Sequence, residues 1–133
     1  MLPVTWATTR LYLHVLAATV CVGGQLVVAG LVPGLRRLDP SLPRTVARRF
    51  AVIAWPAFGV LVMTGIWNVL ALHAVWNGRY GATLMAKITV VALSGAAAFA
   101  HGPARSRAAL ATFGAMAGIT ALAALFLGVQ LHG

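Results

Sequence analysis

The sequence predicts an all-α integral membrane fold: an antiparallel four-helix bundle with both termini on the outer, non-cytoplasmic side. Three observations predict it. Of 133 residues, 61% are hydrophobic and only 8% charged, with a mean hydropathy of +0.92, whereas a soluble domain carries roughly 25% charged residues. Four apolar stretches, divided by turn residues and arginines, each approach the ~20 residues that a bilayer crossing needs. The arginines are distributed unevenly among the linkers, and that bias orients the spans. All four spans belong to a single transmembrane domain, 1–133.

The first span covers about 9–32 and ends near Pro33-Gly34, a turn signal. The second covers about 47–72, with Pro56 expected to kink its first half. The third and fourth cover about 82–100 and about 108–131. Their linkers are short, so consecutive helices are expected to pack antiparallel. The first stretch is too long, and its successors too similar to it, for a signal peptide, and the whole chain is read as mature.

Arg36, Arg37, Arg44, Arg48 and Arg49 lie in the first linker, Arg105 and Arg107 in the third; only Arg10 and Arg79 fall on the opposite side. The first and third linkers are therefore expected in the cytoplasm of a bacterial-type inner membrane, and Trp6, Trp76 and Tyr80 at the outer interface. In this setting an excess of ten Lys and Arg over one acid, Asp39, marks cytoplasmic loops. No nucleic-acid motif accompanies it. The single cysteine, Cys21, excludes an internal disulfide framework.

Polar residues inside the spans carry the functional expectations. In "LYLHVLAATVCVGGQ", His14, Cys21 and Gln25 return to one helical face, joined by Ala17, Ala18 and Gly24. Lipid offers no hydrogen-bond partner, so this stripe is expected to face the bundle. Lys87, Ser94 and His101 repeat the pattern in the third span. The second contributes Thr64 and Asn68, and the fourth Thr112, Met116 and Thr120 with "GAMAG". His14, His73 and His132 are expected near the outer face, where interfacial histidines are also ordinary. Lys87 has no carboxylate in any span to pair with: either it snorkels to the interface or it meets a backbone carbonyl or an anionic ligand.

The segments "LHVLAATVCVGG", "LVP", "RRFAVIAWPAFGVLVMTGIWN" and "YGATLMAKITVV" together resemble the copper-resistance D (CopD) membrane domain. The family's first-span His corresponds to His14 and its Gly-rich turn to Gly23-Gly24. Its second-span TG is Thr64-Gly65, and its YG-x-x-L-x-x-K is Tyr80-Gly81 with Leu84 and Lys87. The resemblance covers roughly residues 10 to 101. The His and Lys are also similar to those of HemJ-type protoporphyrinogen oxidases, which share the architecture and bind haem b. The resemblance implies copper handling by the first family and haem by the second.

Three functions follow as expectations. The first is haem b between helices near the outer face, serving electron transfer, as in a haem-dependent membrane oxidoreductase. His14 is the first axial ligand and His73 the second, with His132 or Met85 as substitutes; Lys87, Arg10 and Arg79 would neutralise the propionates. The second is copper binding or passage through His14, Cys21, Met63 and Met85, soft or borderline ligands suited to Cu(I). The third is an accessory subunit of a larger membrane complex. A lipid bilayer is the expected partner; a quinone, a membrane-complex partner or a second copy of the chain is compatible, and nucleic acid is not. Hydrolase chemistry has no support, because no base–acid pair accompanies a nucleophile.

Overall fold

The computed structural model describes residues 3–71 and 77–131. Among them every regular element is helical: α1 (Trp6–Ala18), a π turn (Thr19–Gly23), α2 (Gly24–Leu38), α3 (Leu42–Ala71), α4 (Gly78–His101) and α5 (Arg107–Gln130). The first three form one continuous helix, Trp6–Leu38, so that four helices are long and apolar enough to cross a membrane. The protein is a multi-pass membrane protein.

Local chemistry sets the helix ends. Thr5 is extended and its side chain accepts from the Thr8 N–H, while Ser106 does the same for Ala109; each supplies an acceptor to a helix N-terminus that lacks one. Gly78 opens α4 with φ +71, a conformation that costs glycine no Cβ clash.

The first span begins at Trp6 rather than near 9 and the third at Gly78 rather than near 82; two further boundaries differ from the sequence expectation for a clear reason. The first span passes through Pro33-Gly34 and ends only at Leu38, before an extended Asp39. Proline's φ is itself helical, so Pro33 removes one hydrogen bond without forcing a stop. Gly34 does not terminate the helix, because among the described residues Gly78 is the glycine with positive φ. The second span starts at Leu42 rather than near 47, with Pro43 in the first turn, where a missing N–H leaves no bond unmade.

The chain divides into two compact units, Met1–His73 and Ala74–Gly133. In the first, hydrogen bonds join Arg10 to Asn68, His14 to Thr64 and Cys21 to Ala54. Rising numbers on one helix meet falling numbers on the other, so the pair is antiparallel. In the second unit Lys87 lies beside Gly128, Ser94 bonds Ala117 and His101 lies beside Gly114, again antiparallel.

Both interfaces are built from small residues. Ala17, Cys21 and Thr64 are buried in the first unit; Leu84, Ser94, Ala97, Ala117 and Ala121 are buried in the second. Apart from buried Leu84, many large apolar side chains point outward, with Val52 72%, Met63 73% and Phe99 73% exposed. This inversion suits a lipid solvent: tails solvate the large side chains, while small ones let helix backbones approach and gain dispersion contacts.

Candidate functional site

The polar groups of the first unit form a ladder between α1 and α3. Arg10 and His14 are four apart on α1, Thr64 and Asn68 four apart on α3, so each pair stacks on one face of its helix. At one rung the Arg10 Nε–H donates to Asn68 Oδ1. The buried guanidinium also lies 5.9 Å from the centre of the Trp67 ring, within cation–π range. Asn68 engages only Nε. Among the described residues the terminal amino groups of Arg10 have no acceptor.

At the next rung His14 Nδ1 lies 2.8 Å from Thr64 Oγ1. The Thr64 hydroxyl has one proton, directed at Val60 O at 2.7 Å and Leu61 O at 3.2 Å. The hydroxyl thus bridges the α3 backbone and the His14 ring. The bond holds the imidazole by Nδ1 and sets the orientation of the ring. Gly65 runs alongside: a Cβ there would lie 3.5 Å from His14 Cε1, so the α3 backbone flanks the ring.

Farther along, the π turn places Cys21 on the buried face, its thiol donating to Ala54 O at 3.8 Å. A Cβ at Gly24 would collide with the Phe50 ring, which explains why the helices close there only with glycine. Gln25 Oε1 is buried and has no hydrogen-bond partner among the described residues. The expected stripe of His14, Ala17, Cys21 and Gln25 thus does turn inward. Beyond α2, Asp39 Oδ1 accepts from the Ser41 N–H and hydroxyl, both at 2.8 Å; these two bonds hold its carboxyl below the usual carboxylate range.

In the second unit Lys87, Ser94 and His101 all face α5, as their spacing predicts. Lys87 Nζ lies beside Gly128, where a Cβ would be only 3.0 Å away. Glycine makes the space, and the last turn of α5 presents the negative end of its dipole to the ammonium. Ser94 Oγ donates to Ala117 O at 3.3 Å. His101 packs over Gly114, with Nδ1 buried and without a partner among the described residues. In "GAMAG" it is therefore Gly114 and Ala117 that meet α4, while nothing lies within 4 Å of a Cβ at Gly118.

Other expected site residues lie elsewhere. Met85 is 51% exposed and Arg79 is exposed. His73 and His132 lie outside the described residues. His14 belongs to the first unit and Lys87 to the second. Among the described residues, no three His, Cys, Asp or Glu side chains are gathered to hold a metal ion. Sequence reasoning missed Trp67 and Phe50, since an aromatic residue in a span reads equally as lipid-facing. No family model, no curated protein and no solved structure matches the chain.

Proposed function

We propose that the protein is a CopD-like membrane protein whose first unit holds a b-type haem through His14, in the service of electron transfer. One observation carries the reading: His14 Nδ1 is hydrogen-bonded to the Thr64 hydroxyl at 2.8 Å, which orients an imidazole inside the span. A ligating histidine ordinarily has its other ring nitrogen held by a hydrogen bond, which fixes the orientation of the ring.

The residues present fit such a group. Haem brings four ring nitrogens of its own and asks the protein for one or two axial ligands, so a lone oriented imidazole suffices at one face. Arg10, buried and without a carboxylate, has terminal amino groups suited to a propionate. A haem held there supplies one-electron exchange at iron. His14 would then hold the iron and Thr64 would hold His14. Arg10, positioned by Asn68 and Trp67, would anchor the acidic edge.

Copper binding or passage is the second reading. It uses the same His14, but a bare ion needs several protein ligands brought together, and among the described residues no three His, Cys, Asp or Glu side chains converge. In the topology we propose, both termini lie outside an inner membrane, supported by the arginine bias of the linkers. The test is the pyridine haemochrome spectrum of protein purified in detergent from haem-supplemented cells. One b-type haem per chain is expected; a chain that folds and stays colourless would refute the reading.

A further inference from the structure

The arginines joining α2 to α3 do more than orient the chain. Arg36 and Arg37 end α2, only Asp39, Pro40 and Ser41 intervene, and Arg44, Arg48 and Arg49 follow in the first turns of α3. All five are exposed. Asp39 is the only acid in the chain, so it could match one of them at most, and its Oδ1 already accepts twice from Ser41. At least four guanidinium groups are left without a carboxylate.

Their depth is informative. From Phe50 to Ala71 α3 carries no charge, about 33 Å of helix at 1.5 Å per residue. That described length is already enough to cross a hydrocarbon core of about 30 Å with Arg49, the last charge before it, at the edge. Arg44 lies about 7.5 Å farther along the axis, close to the thickness of one headgroup layer, roughly 5–8 Å per leaflet. The band therefore coincides with the lipid phosphodiesters and not with bulk water. Phe50, seated at Gly24, fixes α3 against the first helix just below the band. Arg44 and Arg48, four apart, present their forks on one face, and planar guanidinium forks suit phosphate oxygens.

We infer that this end of the first unit is a binding surface for anionic phospholipid, with Arg44, Arg48 and Arg49 as its core. The inference is independent of the haem reading. It predicts that phosphatidylglycerol added to the detergent-purified full chain raises the unfolding temperature by about 5 °C over phosphatidylcholine at equal concentration. The effect should weaken with salt. The triple variant R44Q/R48Q/R49Q should lose most of the response, while Arg79→Gln keeps it. Equal stabilisation by the two lipids, or a full response in the triple variant, would overturn the assignment. So would inorganic phosphate reproducing the shift, since that makes the surface a free-anion site. Should the triple variant fail to fold, native mass spectrometry of the wild-type chain decides. Retained lipid enriched in anionic species over the host membrane supports the surface, and retention without enrichment refutes it.

Discussion

The two helical pairs are joined by different chemistry. In the first, two side chains of α1 meet side chains of α3, Arg10 with Asn68 and His14 with Thr64, beside one thiol–carbonyl contact of Cys21 with Ala54 and the space Gly24 leaves for Phe50. In the second, side chains meet backbone or the space a glycine leaves: Ser94 on Ala117 O, Lys87 at Gly128, His101 at Gly114. A serine or threonine bonding a carbonyl needs no partner residue of a particular type and is a general way to satisfy a hydroxyl in lipid. A buried arginine matched to an asparagine, and a histidine matched to a threonine, each require two polar residues at matching heights. Such placement is costly inside a span and is the usual mark of function there. The first pair is the one on which the proposed haem reading rests.

Substitutions separate the two kinds. The largest stability effect is expected from Ala117→Leu, which overfills the α4–α5 contact and should destabilise by about 1–3 kcal/mol without altering any haem spectrum. A spectral loss at unchanged stability would erase the distinction. Asn68→Leu comes next. It removes the acceptor from Arg10 Nε and should cost about 1–2 kcal/mol by detergent unfolding; a neutral result would mean that Arg10 holds its place through Trp67 alone. Thr64→Val should cost only about 0.6 kcal/mol, the average for a hydrogen bond between spans. On the proposed haem reading it should nevertheless change the reduction potential of the bound haem, because the ligating ring loses the hydrogen bond that holds it. An unchanged potential would remove Thr64 from the site.

The smallest effect belongs to the turn between the two helices of the first pair. The folded carboxyl of Asp39 is held below its unfolded value by the Ser41 N–H and hydroxyl. That stabilisation is therefore complete above the ordinary carboxylate range and disappears as pH falls through the lowered folded pKa. Hydrogen exchange at the Ser41 amide should be slower in the wild type than in Asp39→Asn at neutral pH, and the two should converge in strong acid. Identical exchange at neutral pH would show that the turn does not depend on the carboxylate.

Much of this was legible in sequence because lipid simplifies the problem. Polar residues at seven-residue intervals in a span must face protein, and His14, Cys21, Lys87, Ser94 and His101 do so. Thr64 and Asn68 were also found by spacing. Their pairing with His14 and Arg10 was not, since helix register depends on a close approach such as Phe50 into Gly24. The π turn at Thr19–Gly23 has no residue signature, because it is a choice of backbone bonding. Pro33-Gly34 misled as a stop: neither residue compels one when the flanking chain remains apolar.

The imidazole of His14 is the centre of the account, and one absorption spectrum tests it directly. Wild-type chain and His14→Ala would be purified from haem-supplemented cells and compared at equal folded concentration. Loss of a hydrogen bond worth about 0.6 kcal/mol should leave the fold intact. The account predicts a Soret band in the wild type and none in the variant; a band of equal intensity in both would contradict it.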